Sequence, residues 1–257
     1  MISILRRMAF ATSFSGLLCL AHAAEAACDT EAFPIAVDIG HTAQSPGATS
    51  AHGVGEFDYN LALGREVAAA LQSAGFPAEV ITVTGEGSAQ LRKRIDAANR
   101  LNPRLLISIH HDSTQPRYLK TWEFNGRLLQ HTERFSGFSL FISRANADFA
   151  ASRIFATLLA DQLLGKGLHF STHHAEKIKG EARELLDPQR GIFEFTNLRV
   201  LKETRMPAVL LEAGIIVNRQ EELIVATPER RMLIADTVAT AALQMCGEAK
   251  PADFALR

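Results

Sequence analysis

The chain has 257 residues, and its 27 Lys and Arg residues nearly balance its 28 Asp and Glu residues, which leaves a formal net charge of -1. A nucleic-acid-binding protein normally carries a basic excess, so this balance argues against nucleic acid as a partner. After residue 27 the sequence contains no apolar segment long enough to span a bilayer, so we expect no membrane anchor in the mature chain.

The first 27 residues have the pattern of a cleavable export signal. Arg6 and Arg7 precede an apolar stretch from Met8 to Leu20, and a region of small residues follows. The apolar stretch is too short to cross a bilayer; the alternative is a buried N-terminal helix. The two arginines leave the twin-arginine route open, but Phe10 lies one place late for that pattern, so we favour the general secretory route. We therefore predict a signal peptide over 1–27 and a mature protein that is periplasmic or secreted.

Roughly 230 residues remain after the signal, enough for one sizeable core and too few for two typical domains. We predict a single domain over 28–247 and a C-terminal tail over 248–257. Cys28 and Cys246 lie at opposite ends of this domain, in a compartment that permits disulfides. Because domain termini often lie close together, we predict a disulfide between them, with two free thiols as the alternative.

Short β-branched runs alternate with amphipathic segments along the mature chain. Such runs are typical of strands in a mostly parallel sheet, and apolar residues at helical spacing indicate helices between them. The alternation predicts an α/β fold: a mostly parallel mixed sheet flanked by helices on both faces. The predicted strands are 34–39, 78–83, a run that ends at His110, 138–142 and 209–211; the predicted helices are 57–74, a segment capped by Ser88, 148–164 and 228–244; and 112–136 is predicted to be a polar loop.

Three residues that can bind a metal or move a proton follow short apolar runs directly: His41, His110 and Glu212. In open α/β sheets the ligand crevice lies beyond the carboxyl ends of the strands. We therefore expect two imidazoles and a carboxylate to converge there.

A catalytic zinc ion often has two His ligands and one Glu ligand. Glu56 is the best third ligand for His41 and His110, because residues 53–55 include two glycines that let the backbone turn Glu56 back towards the first strand. Glu212 could then move a proton beside the metal. The alternative is that the histidines are polar strand ends, Glu56 only a helix-start acid favoured by the helix dipole, and Glu212 a solvent-facing acid.

Several segments occur in an order and spacing that resemble a known family. They spread over nearly all of the mature chain, from about Ile35 to Leu243, and include an RG pair at Arg190-Gly191. The other matching strings are VDIGH, GVGEFDYNLAL, LRKRIDAANRL, LLISIHHDS and RVLKETRMPAVLLEAGIIVN. With these strings the chain resembles the zinc-dependent N-acetylmuramoyl-L-alanine amidases of the cell-wall amidase 3 type.

The resemblance implies that His41, Glu56 and His110 bind Zn2+ and that Glu212 is the catalytic acid and base. It also implies a peptidoglycan substrate, cut at the amide between N-acetylmuramic acid and the L-alanine of the stem peptide. On this interpretation zinc polarises the scissile carbonyl and activates a water molecule. Glu212 accepts the proton and later protonates the departing amine.

The chain departs from the family pattern around its first and third ligands. Ile39 and Thr42 stand where the family usually has a proline and a second glycine, which could alter the path of the loop without removing the ligand. His111 directly follows His110, and neighbouring strand residues point to opposite sides. We therefore assign His110, and not His111, to zinc.

Some relatives carry an insert after the strand that corresponds to 138–142, where a helix places a Glu on the zinc and waits for an activator protein. That insert is missing from this sequence, so an activator is possible but not favoured. Extra length lies instead at 121–134 and at 171–189. We expect the second stretch, which carries His173 and His174, to be a charged, solvated helix and loop, with a lid or substrate wall as the alternative.

Two other functions are compatible with the sequence. One is a different metal hydrolase of the same polymer, such as a carboxypeptidase or deacetylase, although no HExxH string supports it. The other is a wall-binding protein without activity. Retention of Glu212 beside three metal-binding residues argues against that reading, because a binding protein has no need of an acid beside a metal.

Overall fold

A computed structural model of the chain describes residues 28–248. The predicted signal peptide and residues 249–257 of the predicted tail lie outside that part of the chain. In chain order the elements are β1 (Ile35–Ile39), α1 (Glu56–Ser73), β2 (Ala78–Ile81), α2 (Gly87–Leu101), β3 (Leu105–Asp112), β4 (Lys120–Phe124), β5 (Arg127–His131), β6 (Ser139–Ile142), α3 (Phe149–Gly165), β7 (Leu185–Asp187), β8 (Ile192–Glu194), α4 (Arg199–Lys202), β9 (Ala208–Ile215), α5 (Arg219–Val225) and α6 (Pro228–Glu248).

Seven of the strands form one mixed sheet in the order β2-β1-β3-β9-β6-β8-β7. The pairs β1–β2, β1–β3, β3–β9 and β6–β8 are parallel, whereas β9–β6 and β8–β7 are antiparallel. The predicted mostly parallel mixed sheet is confirmed. In the β3–β9 pair His110 lies opposite Glu212, so the sheet itself brings two of the predicted site residues side by side.

Helices cover both faces of the sheet, as predicted. Helices α1, α3 and α6 pack in the larger apolar cluster, and α2 and α4 pack against the opposite face. Strand alternation divides β1 between the two layers: Val37 belongs to the larger cluster and Ala36 to the smaller one. A sheet buried on both faces explains why its central strands are continuous apolar runs in the sequence.

Helix α1 approaches the sheet closely at Gly64. A Cβ at this position would collide with the side chain of Ile39, the last residue of β1. The absence of a side chain at Gly64 therefore sets the distance between the helix and the end of β1. Because Glu56 is the first residue of α1, this contact also helps to fix Glu56 relative to the strand that precedes His41.

Strands β3 and β9 and helix α2 depart from the prediction next to the site. Strand β9 continues through Glu212 to Ile215, so Glu212 lies inside the strand and not beyond its end. Strand β3 likewise continues past His110 to Asp112, because its pairing with β9 resumes after an irregularity. Helix α2 begins at Gly87 after Glu86, whose side chain makes no capping hydrogen bond, and the predicted Ser88 cap was wrong.

The predicted loop 112–136 was also wrong, because it contains the hairpin of β4 and β5. Asn125 and Gly126 form its turn with φ angles of 50° and 71°. Both angles are positive, as a type I′ turn requires, and Asn-Gly is the preferred pair for that turn. Among residues 28–248, no helix combines the length and the hydropathy that a membrane crossing requires.

The predicted disulfide between Cys28 and Cys246 is present. It joins the start of the described chain to the last turns of α6, where Cys246 is buried in the larger apolar cluster. The two cysteines are 218 residues apart, so the bond closes nearly the whole domain.

A buried ion pair connects β1, α2 and β3 beneath the predicted site. Arg94 Nε donates to Asp38 Oδ1 at 2.8 Å, and Ser108 Oγ donates to Asp38 Oδ2 at 2.7 Å. Arg94 Nη2 also lies 3.4 Å from His110 Nε2. Burial raises the pKa of Asp38, but the Arg94 guanidinium outweighs it and holds that pKa below its ordinary value. The pair therefore stays ionised and fixes the back of the His110 ring.

We expect Cys28→Ser to lower the free energy of unfolding by about 2–5 kcal/mol, because the disulfide restricts the unfolded chain over a long loop. Urea unfolding of the mature protein measures this. Reductant should lower the stability of the wild type to that of Cys28→Ser and leave the variant unchanged. Equal stability of the two proteins without reductant would contradict the expected role of the bond.

Removing one partner of the buried pair should destabilise the domain strongly. We expect Arg94→Met to cost about 3–5 kcal/mol, because it leaves the Asp38 carboxylate buried without its cation. Arg94→Met combined with Asp38→Leu should recover most of this loss. Arg92→Met on the exposed side of the same helix is the control, and a loss there as large as in Arg94→Met would refute the explanation.

Candidate active site

His41, Glu56 and His110 come together at one end of the sheet. His41 Nε2 lies 3.0 Å from Glu56 Oε2, and His110 Nδ1 lies 2.9 Å from Glu56 Oε1. The two imidazole rings meet edge to face with their centroids 5.0 Å apart. One potential ligand atom from each residue lies within 4.8 Å of the other two. The structure thus brings together all three residues that the sequence predicts as one set.

Unusual backbone positions make room for this group. His41 has a φ of 67°, a left-handed conformation that is strained for a residue with a side chain and is typical of functional sites. Gly40 lies against the His110 ring, where a Cβ would collide with the ring atoms. Gly47 has a φ of 79°. A Cβ at this position would collide with Glu56 Oε2 and with the His41 ring. Two glycines therefore form the walls of the group.

Hydrogen bonds hold the Glu56 carboxylate between the imidazoles. Asn60 Nδ2 donates to Glu56 Oε1 at 3.0 Å, and the Ala48 backbone N–H donates to Oε2 at 3.1 Å. Burial raises the pKa of Glu56, but hydrogen bonds with His110 and His41 outweigh it and keep that pKa well below its ordinary value. Glu56 is therefore an anion that is already oriented in the protein.

The chemistry of these side chains suits a metal ligand set. Burial lowers the pKa of His110 even though Glu56 lies beside it, which favours the neutral imidazole that a metal requires. Two imidazoles and one carboxylate are a common donor set for catalytic zinc. The glycine-walled space and the ionised Glu56 fit such an ion.

Glu212 lies next to this group, opposite His110 in the β3–β9 pair. Its Oε2 atom is buried and has no hydrogen-bond partner within residues 28–248. Burial raises the pKa of Glu212 well above its ordinary value, and the carboxylates of Asp112 and Glu56 raise it further. A carboxyl with a raised pKa is suited to general acid and base catalysis.

His111 lies outside the group formed by His41, Glu56 and His110. It is buried on the other side of β3, where its Nδ1 lies 2.8 Å from Asn60 Oδ1. Burial lowers the pKa of His111 to about 4, so this ring stays neutral. Through Asn60, which also donates to Glu56, His111 supports the site from behind.

Thr42 replaces a family glycine without displacing His41 from Glu56. Thr42 is fully buried, and its Oγ1 donates to the Gly85 carbonyl at 2.6 Å.

The β4–β5 hairpin also contacts the loop between β1 and α1. Trp122 Nε1 donates to the Ala51 carbonyl at 2.9 Å and thereby links the hairpin to the segment that leads into Glu56. These two hydrogen bonds fasten the loop between β1 and α1.

Sequence reasoning missed a second cluster of ionisable side chains near Glu212. Asp112 continues β3 beyond His110, and His173 and His174 reach it from the stretch 171–189. The expected solvated helix was wrong: the two histidines form a short 3-10 turn and are buried, with only 1% of His173 exposed. The available signals were the adjacent histidines and the position of Asp112, two residues after His110 and hence on the same side of the strand.

Comparison with protein families agrees with this architecture. Residues 35–244 match the family described as Amidase_3, N-acetylmuramoyl-L-alanine amidase. The match begins at the first residue of β1 and ends within α6, so it includes the whole sheet and the four predicted site residues.

Individual proteins with names from the same family are similar to this chain. The N-acetylmuramoyl-L-alanine amidase AmiA of Salmonella typhimurium is 25% identical over 219 residues, which cover 80% of this chain and 73% of that protein. Two solved structures of the N-acetylmuramyl-L-alanine amidase Ami1 share the fold. The one from Mycobacterium smegmatis has a TM-score of 0.66 at 20% identity, covering 86% of this chain and 99% of that one. The one from Mycobacterium abscessus has a TM-score of 0.65 at 18% identity, covering 84% and 99%.

The family match extends over most of the chain, and the fold agrees with solved members of the same name. The chain therefore belongs to the Amidase_3 family, the N-acetylmuramoyl-L-alanine amidases, and is a hydrolase.

Proposed function

We propose that the protein cleaves peptidoglycan with zinc bound by His41, Glu56 and His110, and with Glu212 as general acid and base. The bond is the amide between the lactyl group of N-acetylmuramic acid and the L-alanine of the stem peptide. One observation carries the proposal: Glu56 joins two imidazoles in one group, and Glu212 lies directly opposite His110. These side chains supply every protein group that a zinc hydrolase needs.

The reaction divides between the bound metal and Glu212. A zinc ion at this site would polarise a carbonyl and lower the pKa of a water molecule. Glu212 accepts a proton from the attacking water as the new carbon–oxygen bond forms. It then delivers that proton to the nitrogen of L-alanine as the carbon–nitrogen bond breaks. The products are a free amino terminus on the peptide and a carboxyl group on the glycan.

The surroundings of Glu212 suit both proton transfers. Its raised pKa favours the protonated carboxyl that the second step requires. Among residues 28–248 no other group forms a hydrogen bond with its Oε2 atom, so no protein partner competes for the proton there. Hydrogen bonds from Asn60 and Ala48 hold the neighbouring Glu56 in place. Glu56 therefore loses less conformational entropy when it binds a metal.

We also propose that the enzyme works outside the cytoplasm. The disulfide between Cys28 and Cys246 supports this location, because such bonds persist in oxidising compartments. The export signal predicted from residues 1–27 agrees with it. The polymer that the enzyme is proposed to cleave lies in the same compartment.

The protein is further proposed to act without an activator. Only residues 143–148 connect the end of β6 to the start of α3. Six residues are too few for an inhibitory helix of the kind that some relatives carry there. Access of the substrate to the proposed zinc site is therefore not expected to depend on a partner protein.

We expect Glu212→Gln to lower kcat/KM on peptidoglycan by about 10²–10⁴-fold, because the amide keeps the shape of the side chain but cannot carry the proton. Zinc content should stay the same. Glu229→Gln, on the exposed first turn of α6, is the matched control and should retain activity. If Glu212→Gln cleaved peptidoglycan as fast as the wild type, Glu212 would not be the general acid and base.

Gly47→Ala should weaken zinc binding, because its Cβ would collide with Glu56 Oε2 and press on the His41 ring. We expect affinity to fall about 10–100-fold, as for other residues that support metal ligands, when measured by competition with a chelating dye. Gly167→Ala is the matched control: its φ of 81° is close to the 79° of Gly47, but open space surrounds its Cβ. Equal zinc affinity in the two variants would contradict zinc binding by His41, Glu56 and His110.

A further inference from the structure

Asp112, His173 and His174 form a compact group outside the set proposed for catalysis. His174 Nε2 lies 2.7 Å from Asp112 Oδ2, and His173 Nε2 lies 3.3 Å from the same oxygen. One potential ligand atom from each residue lies within 4.8 Å of the other two, and all three residues are buried. Two imidazole nitrogens and a carboxylate thus converge on one point inside the protein.

The opposite nitrogen of each imidazole is held by a second polar group. His174 Nδ1 lies 2.9 Å from Glu181 Oε2, and His173 Nδ1 lies 2.8 Å from Ser171 Oγ. Metal-binding histidines nearly always have such a partner on the nitrogen that does not bind the ion, because it fixes the tautomer and the ring orientation. Both rings are therefore arranged with Nε2 directed at the shared point.

Hydrogen bonding among the described residues does not account for His173. Its Nε2 is buried, with only 1% of the residue exposed, and its 3.3 Å contact with Asp112 Oδ2 does not have the geometry of a hydrogen bond among residues 28–248. An unsatisfied buried nitrogen costs about 1–3 kcal/mol. An ion pair of protonated His174 with Asp112 and Glu181 would satisfy His174 but would leave His173 Nε2 with only its poorly aligned contact to Asp112. A ligand at the shared point satisfies both rings.

We propose that Asp112, His173 and His174 bind a second divalent metal ion, with zinc as the best match to the donor set. Two imidazoles and one carboxylate give three protein ligands, a usual number for zinc with a fourth position open to a small molecule. His110 and Asp112 lie two residues apart on β3, so the proposed ion lies on the same side of the strand as the first site. The second site does not require that the first one bind zinc.

The ion would link the stretch 171–189 to the central sheet. Ser171 and Glu181 hold the two ligating histidines from within this stretch, whereas Asp112 belongs to β3. A metal ion bound across this junction would hold the stretch against β3, the strand whose His110 lies opposite Glu212. We therefore expect the second ion to protect residues 171–189 from proteolysis.

Metal stoichiometry tests the proposal. The purified mature protein is stripped with chelator, reloaded with zinc, desalted and analysed for metal per chain by plasma mass spectrometry. We expect two ions in the wild type, one in His41→Ala combined with His110→Ala, and one in His173→Gln combined with His174→Gln. His169→Gln is the control: this residue contacts Ser136 and lies outside both groups, so the variant should keep two.

The wild type and the His41/His110 variant decide the matter even if the His173/His174 variant fails to fold. One ion in the wild type together with none in the His41/His110 variant would overturn the proposal. Two ions in a folded His173/His174 variant would also overturn it. Crystals of the reloaded protein provide the direct measurement: anomalous scattering at the zinc edge should peak between Asp112 and the two histidines, and its absence there refutes the site.

Discussion

The parallel register of β1, β3 and β9 is the constraint on which the site depends. It places His110 opposite Glu212, and it brings the end of β1 beside β3 so that His41 can reach the same group. A shift of one residue in either pair would turn His110 or Glu212 to the other face of the sheet. The register is strongly specified because both faces of these strands are buried under helices. Core packing thus determines the chemistry at the sheet end.

Charges at the site are stabilised by partners that the fold supplies. Glu56 is an anion between two imidazoles, and Asp38 is an anion beneath them that Arg94 keeps ionised. Glu212 lacks such a partner, and burial together with the carboxylates of Asp112 and Glu56 raises its pKa. Neighbouring carboxylates therefore have opposite tendencies: one is arranged to bind a cation and the other to hold a proton. This separation of roles is what an acid–base metal hydrolase requires.

Much of the fold and the central site could be predicted from local pattern, whereas the second cluster could not. Apolar runs that end in His or Glu indicate both a strand and a candidate site residue, because the buried positions and the ionisable one are adjacent in the sequence. The extension of β9 past Glu212 was missed because a carboxylate ordinarily ends an apolar strand. The burial of His173 and His174 depends on Asp112, about 60 residues away, so no local pattern reveals it. The Asn125-Gly126 hairpin, in contrast, carried its usual signal and was overlooked.

The identity of the cleaved bond tests the central claim most directly. Purified mature protein, without any partner, would be incubated with peptidoglycan in the presence of zinc or of a chelator, and the released fragments identified by mass spectrometry. The account predicts zinc-dependent release of intact peptides that begin with L-alanine, together with glycans free of peptide. Zinc-dependent cleavage at another bond, as by a carboxypeptidase or a deacetylase, would contradict it. So would binding without any release.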